Sequence, residues 1–296
     1  MSKYLITGGL GFLGRHAAAA AKAAGHEVFV IDNCEPTCGA SVGIYIGGLH
    51  YYVDITDFAA LARVVEDVKP DAILHLAAYG RNLNCRDFAK RAVAVNVFGT
   101  VNVLTVALAA KVPRVAVCSS NICLSDVDTI YRRTKHLCEV AVEVFAEKGL
   151  SVMGLRPSNI YGSGQSRTEY QPCAFAGLDI SYERDGHFTI TGDGTQSRDF
   201  VHADDVAEAF LLAAESKVSG CTFDIATGVQ TSMNDVAKLL GVDVKYTDPR
   251  PGDAKILVSD IQPAFDHLGF KATRRLVDHI FEAFPAVAAA KQKEAA

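Results

Sequence analysis

Three glycines at fixed spacing limit what this chain can fold into more than any other feature. Gly9-Leu10-Gly11-Phe12-Leu13-Gly14 fits G-x-G-x-x-G, directly after a β-rich run (residues 4–7) and at the mouth of an alanine-rich helical stretch (residues 11–24) that stops at Gly25. A turn this tight needs residues without a Cβ, and the helix behind it offers free N–H groups and a positive dipole end to phosphates. The glycines could serve the turn alone, but Asp32 adds to them. It closes the second β-rich run (residues 28–31), with Asn33 beside it, at the separation where a carboxylate accepts hydrogen bonds from ribose hydroxyls. A 2′-phosphate there would meet a like charge, so NAD is favoured over NADP, with Arg15 the nearby cation able to blur the preference.

The first half keeps alternating β-rich runs (72–76, 115–118, 152–155) with helical stretches (59–68, 89–110), the pattern of a parallel sheet with crossover helices on both faces. The expected class is α/β: a doubly wound parallel sheet (Rossmann fold) over residues 1–160, with a smaller α/β C-terminal substrate lobe over 161–285. In that second part Gly and polar clusters at 161–169 and 192–196 separate short helices at 204–215 and 232–240, a segment near 192–215 is a candidate to return to the first domain, and the Ala/Lys tail, 286–296, is expected to fray. No stretch of about eighteen apolar residues occurs, and the N-terminus lacks the pattern of a signal peptide, so neither a membrane nor export is expected and the cytoplasm is the default. Eight scattered cysteines with no C-x-x-C read as reduced thiols, and no metal site is indicated. Residues 1–150 carry 15 Lys and Arg against 14 Asp and Glu, and 151–296 carry 14 against 20, which leaves no basic field for a nucleic acid.

Tyr131 and Lys135 sit at i and i+4 on one face of a helix running to about Lys148. A phenol is a poor base at neutral pH, and a nearby cation favours the phenolate. Y-x-x-x-K is common by chance as a solvated helix face. It gains weight from Cys118-Ser119-Ser120 at the end of a strand in the same sheet, where a hydroxyl can hydrogen-bond the substrate oxygen whose proton the tyrosine handles.

These motifs together resemble the extended short-chain dehydrogenase/reductase family, in particular its NAD-dependent sugar-nucleotide epimerase/dehydratase branch. Thr7-Gly8-Gly9-Leu10-Gly11-Phe12-Leu13-Gly14 is similar to its first signature, T-G-G-x-G-F-[IL]-G, which implies cofactor contacts at Gly8, Gly11, Phe12 and Leu13. The resemblance also implies adenine contacts at Asp54 and Ile55, a cofactor-lining segment at Leu76, Ala77 and Ala78, and further cofactor residues at Asn96, Lys135 and Pro157. Asn159 is implied to face the substrate. The stretch from Gly192 to Ala207 is similar to one typical of UDP-glucose 4-epimerase relatives, in which Arg198 matches an arginine on the nucleotide diphosphate. Arg250-Pro251-Gly252-Asp253 resembles a second such segment, whose arginine meets the diphosphate and whose acid meets the nucleotide ribose. Two guanidinium groups suit a pyrophosphate, since each can bond bidentately. Asp204 and Asp205 read as helix caps and His202 as structural.

The family's serine position matches Ser120 best, with Ser119 the fallback. Eleven positions separate Ser120 from Tyr131, and the intervening loop lacks the V-Y-G and proline-rich segments usual there, which either opens the sugar pocket or leaves room for another element. Where dehydrating relatives carry Asp-Glu and decarboxylating ones Glu, this chain has Asn121 and Ile122, so no carboxylate is placed to abstract a proton at C5. Cys123 reads as a small buried apolar residue. The leading expectation is a nucleotide-sugar 4-epimerase using NAD, with Ser120, Tyr131 and Lys135 catalytic and a UDP-sugar as substrate. A dehydratase, decarboxylase or 4-keto reductase on the same fold is the alternative, and a non-catalytic dinucleotide sensor or scaffold is the alternative of another class. The resemblance further implies a homodimer formed through the helices around residues 98–110 and 131–148. The stripe Leu137, Val140, Ala141, Val144 and Phe145 equally suits burial against the chain's own sheet.

Overall fold

The computed structural model describes residues 1–35, 49–167, 172–249 and 256–294. Within them the strands are β1 (Lys3–Thr7), β2 (Glu27–Asp32), β3 (Leu49–Tyr52), β4 (Ala72–His75), β5 (Arg114–Cys118), β6 (Val152–Pro157), β7 (Asn159–Tyr161), β8 (Phe188–Thr191), β9 (Ser197–His202), β10 (Thr222–Ile225), β11 (Gln230–Ser232) and β12 (Val244–Thr247). Seven of them form one sheet in the order β10-β6-β5-β4-β1-β2-β3, and every pair in it is parallel. The order reverses between β1 and β4, and loops leaving the carboxyl ends of those two strands open a crevice at that switch point. The central strands β4 and β5 are buried along nearly their whole length because helices cover both faces.

The Phe12–Ala23 helix presents Ala17, Ala18 and Ala21 to the core, and these share one buried cluster with Ala207, Phe210 and Ala214 of the Ala203–Glu215 helix. Alanines give that helix a thin face, and the later helix packs onto it. Beyond this helix β10 adds to the edge of the main sheet beside β6, so the chain re-enters the first domain well past residue 160. A second, smaller part is built around β8, β12 and the Ala174–Asp185 and Met233–Leu240 helices, over a core of Phe175, Phe188, Phe200 and Phe284.

Two local expectations are corrected. Residues 286–294 of the Ala/Lys tail do not fray: Pro285–Glu294 is helical, Val287 is fully buried, and the N–H groups of Ala286 and Val287 donate to the Asp179 carboxylate. Nor are Asp204 and Asp205 side-chain caps. His202 holds the cap position, its Nδ1 accepting the Asp204 N–H, while Asp204 faces His16. Buried Asp205 takes the N–H groups of Thr273 and Arg274 and the Arg274 guanidinium, which straps the C-terminal segment to the first domain. Every described cysteine is a free thiol. The Ala89–Ala109 helix, with a π-helical stretch at Val93–Gly99, is long and apolar enough to cross a membrane by length and composition, and half of it is buried within the fold.

Candidate active site

At the switch point the glycine turn is shaped by sterics. Gly8 holds φ at +69°, and a Cβ there would sit 2.7 Å from the Ala77 backbone; a Cβ on Gly14 would sit 2.1 Å from the Gly8 carbonyl oxygen. The helix starting at Phe12 has neither a side-chain cap nor an acidic residue in its first turn, so its terminal N–H groups stay available to an anion. Asp57, His202 and Ser232 supply such caps to other helices. A cavity of about 120 Å³ opens beside this turn, and Gly8, Gly11, Asp32, Asn33, Asp54, Ile55, Leu76, Ala77 and Ala78 all line it.

Hydrogen bonds preset this wall. Asp32 accepts the N–H groups of Leu10 at 3.0 Å and Cys34 at 2.8 Å, which ties strand β2 to the glycine turn. Asp54 accepts from Thr56, Asn33 and Arg91; burial works against its charge, but these donors, Arg91 first, bring its pKa down to about 2. Arg91 also pairs with Glu35, a bridge that no local motif announces. Three carboxylates therefore surround the position a 2′-phosphate would take, and the cation among them is already bound to two. Arg15 points instead to the Gly164 carbonyl. These residues fit NAD.

Phe12, Leu13, Asn96 and Pro157 do not line this cavity. Phe12 meets His16 edge-on, Leu13 packs on the apolar core, and Pro157 is buried at the end of β6. Asn96 is spent on its neighbours: its amide bonds both backbone groups of Tyr79 and the Thr134 hydroxyl, so it holds the cofactor wall in place.

The reactive groups gather where β5 ends. The hydroxyl of Thr129 caps the Ile130–Glu147 helix, and one turn along it Lys135 is buried with its Nζ donating to the Cys118 carbonyl at 2.8 Å. Tyr131 is half-buried. Desolvation pushes its pKa up to about 12, against the pull of the Lys135 charge and of the Ser120 hydroxyl. Lys135 itself lies above its ordinary range because Tyr131 and nearby thiols outweigh the cost of burial. Burial and the Lys135 charge lower His75 to about 3; neutral, it accepts from Thr7 through Nδ1 and donates from Nε2 to Thr100, whose own proton goes to the Asn96 carbonyl. The two serines differ in their surroundings. Ser119 is buried and donates to Glu139, which Arg156 also holds, while Ser120 faces the cleft with Tyr131. Cys123 lies beside Ser119, and burial and Glu139 push its thiol up to about 11, which keeps it unreactive.

A cleft of about 1110 Å³ lies over these groups, floored by Ser120, Asn121, Tyr131 and Asn159 and roofed by the Ala174–Asp185 helix. The shortened segment after Ser120 forms a turn of 3₁₀ helix, Asn121–Leu124. Arg198 reaches the cleft from β9, its Nη1 on the Ser197 carbonyl. Arg250 and Asp253 lie outside the described residues. Arg81 also lines the cleft, and nothing in its sequence neighbourhood marks it.

Residues 4–226 match the model of the NAD dependent epimerase/dehydratase family. The chain is similar to a UDP-glucose 4-epimerase of Rhizobium meliloti, 28% identical over 90% of this chain and 91% of that one. Among solved structures it is similar to a UDP-glucose 4-epimerase of Thermotoga maritima with UDP-glucose, at 26% identity and a TM-score of 0.87 over 98% of this chain and 99% of that one. MoeE5 in complex with UDP-glucuronic acid and NAD is also similar, at 26% identity and a TM-score of 0.83 over 97% and 99%.

Proposed function

The chain belongs to the NAD dependent epimerase/dehydratase family, and on that premise we propose that it inverts C4 of a nucleotide-diphosphate sugar, a UDP-sugar. The observation carrying this reading is the convergence of Ser120, Tyr131 and Lys135 under a cleft large enough for such a substrate, next to a dinucleotide cradle. NAD held in that cradle supplies reversible acceptance of a hydride from the sugar. Tyr131 takes the proton of the 4-hydroxyl as the carbonyl forms and gives it back when the alcohol is restored. Ser120, already against the phenol, hydrogen-bonds the same oxygen in both states. Lys135 opposes the desolvation that keeps the phenol protonated, and its anchor on Cys118 fixes the charge in place. Arg198, with Arg250, holds the diphosphate while the sugar turns. Asn121 and Ile122 offer no carboxylate for abstraction at C5, which disfavours the dehydratase and decarboxylase readings.

We also propose a cytoplasmic homodimer. Phe98, Leu137, Val140 and Val144 stay substantially exposed on neighbouring helices, and a second copy would cover them. The test of function is direct: denature the purified protein and measure released NAD, then follow UDP-glucose and UDP-galactose by NMR. Interconversion at C4 without net NADH is expected. Stoichiometric NADH, or loss of water or carbon dioxide, would overturn the reading.

A further inference from the structure

Arg81 lines the substrate cleft and takes no part in the chemistry above. Its backbone holds φ 73° and ψ 139°, a conformation nearly confined to glycine, and such strain persists only where the surroundings impose it, most often at ligand positions. Here the next residue is pinned: Asn82 accepts a hydrogen bond at 3.1 Å from Thr129, the cap of the helix that carries Tyr131. Arg81 and Tyr131 line the same cleft. Its Nη1 is buried with no hydrogen-bond partner, and no carboxylate pairs with it among the described residues. Among the described cleft-lining residues only Glu183 is acidic, and Arg167 holds it. Asn121, adjacent to Ser120, has a second buried donor without a partner among the described residues, its Nδ2.

A guanidinium N–H buried without a partner is costly, and a neutral hydroxyl recovers less of that cost than an anion does. A planar carboxylate matches the guanidinium fork and recovers more. Ser120 and Tyr131 handle the oxygen on C4, and in a hexuronic acid the carboxylate sits on C5, the adjacent ring carbon. We propose that Arg81 and Asn121 bind a carboxylate carried by the sugar, which makes a nucleotide-diphosphate uronic acid the preferred substrate class. This rests on the nucleotide-sugar reading above.

The test compares calorimetric affinities of the NAD-loaded protein for UDP-glucuronate, UDP-glucose and UDP, in the natural sequence, Arg81→Met and Arg81→Gly. The natural protein should prefer UDP-glucuronate over UDP-glucose, and both variants should lose about 10- to 100-fold more affinity for the uronate than for the neutral sugar. Arg81→Gly relieves the backbone strain, so it should melt no lower than Arg81→Met and guards against a misfolded variant. No preference in the natural protein overturns the proposal. Equal loss for all three ligands places Arg81 on the diphosphate and overturns it too. Turnover, followed separately by NMR, keeps the two readings apart. C4 inversion of UDP-glucose without a uronate preference sinks the carboxylate site alone, whereas a preference that the variants abolish, with neither sugar inverted, sinks the epimerase alone. Failure of all three ligands to bind sinks both.

Discussion

In the dinucleotide cleft Asp32, Asn33, Asp54 and Glu35 are all hydrogen-bonded within the chain, whereas in the larger cleft beside it Arg81 and Asn121 hold buried donors with no partner among the described residues. The two clefts share one segment: Leu76 to Tyr79 line the first, and Arg81 and Asn82 the second. The difference teaches that one side is assembled before any ligand arrives and the other is completed by the ligand. A cofactor retained through every cycle suits a wall that is already satisfied, and a substrate that must turn and leave suits groups that pair only when it is present.

The strongest way to break this comparison is Tyr131→Phe. Turnover should fall by about 10²–10⁴-fold while bound NAD, measured after denaturation, stays at the natural level, because the phenol belongs to the ligand-completed side. Loss of NAD in parallel would show that the clefts are not separate. Lys135→Met should cost less at neutral pH and leave a signature in the pH profile. The active base is the phenolate, so kcat/KM climbs with pH; without the Lys135 charge the phenolate is harder to form, and the climb should move up by about one to three pH units. An unmoved profile would remove Lys135 from this role. Gly14→Ala tests the preassembled side: its Cβ meets the Gly8 carbonyl, so overpacking should cost about 1–3 kcal/mol in thermal unfolding and reduce retained NAD.

The smallest effect concerns His75. Its folded pKa of about 3 lies below that of the unfolded chain, so in between only the unfolded state takes up the proton, and stability is lost as pH falls. Between pH 6.5 and 5.5 denaturant titrations should show a loss of about 1 kcal/mol, absent in His75→Gln. A flat response in the natural protein would mean that the Thr7-His75-Thr100 chain opens readily.

The glycine turn, its helix and the strands of the first domain were legible because each is set by local chemistry: φ at Gly8, the alanine run after it, apolar runs buried on both faces. Most of the named cofactor residues line one cavity for the same reason, since they follow strand ends. Strand β10 escaped because four residues carry little periodic signal and their pairing with β6 spans almost seventy positions of chain. The tail misled because Ala and Lys look solvated until Asp179, over a hundred residues earlier, takes its first N–H groups. The Asn96 amide is held by Tyr79 and Thr134, a partnership that its motif does not announce.

By itself the sequence determined the fold class, the dinucleotide turn and the pairing of a phenol with an ammonium one helical turn away, all consequences of short-range sterics and periodicity. Only the tertiary structure gave Ser119 and Ser120 different surroundings, bound Arg91 to two distant carboxylates, and left Arg81 in the cleft with no counter-charge among the described residues. Those outcomes depend on which desolvated groups meet across the fold, and burial and partnership are properties of the packed molecule that no local stretch of chain contains.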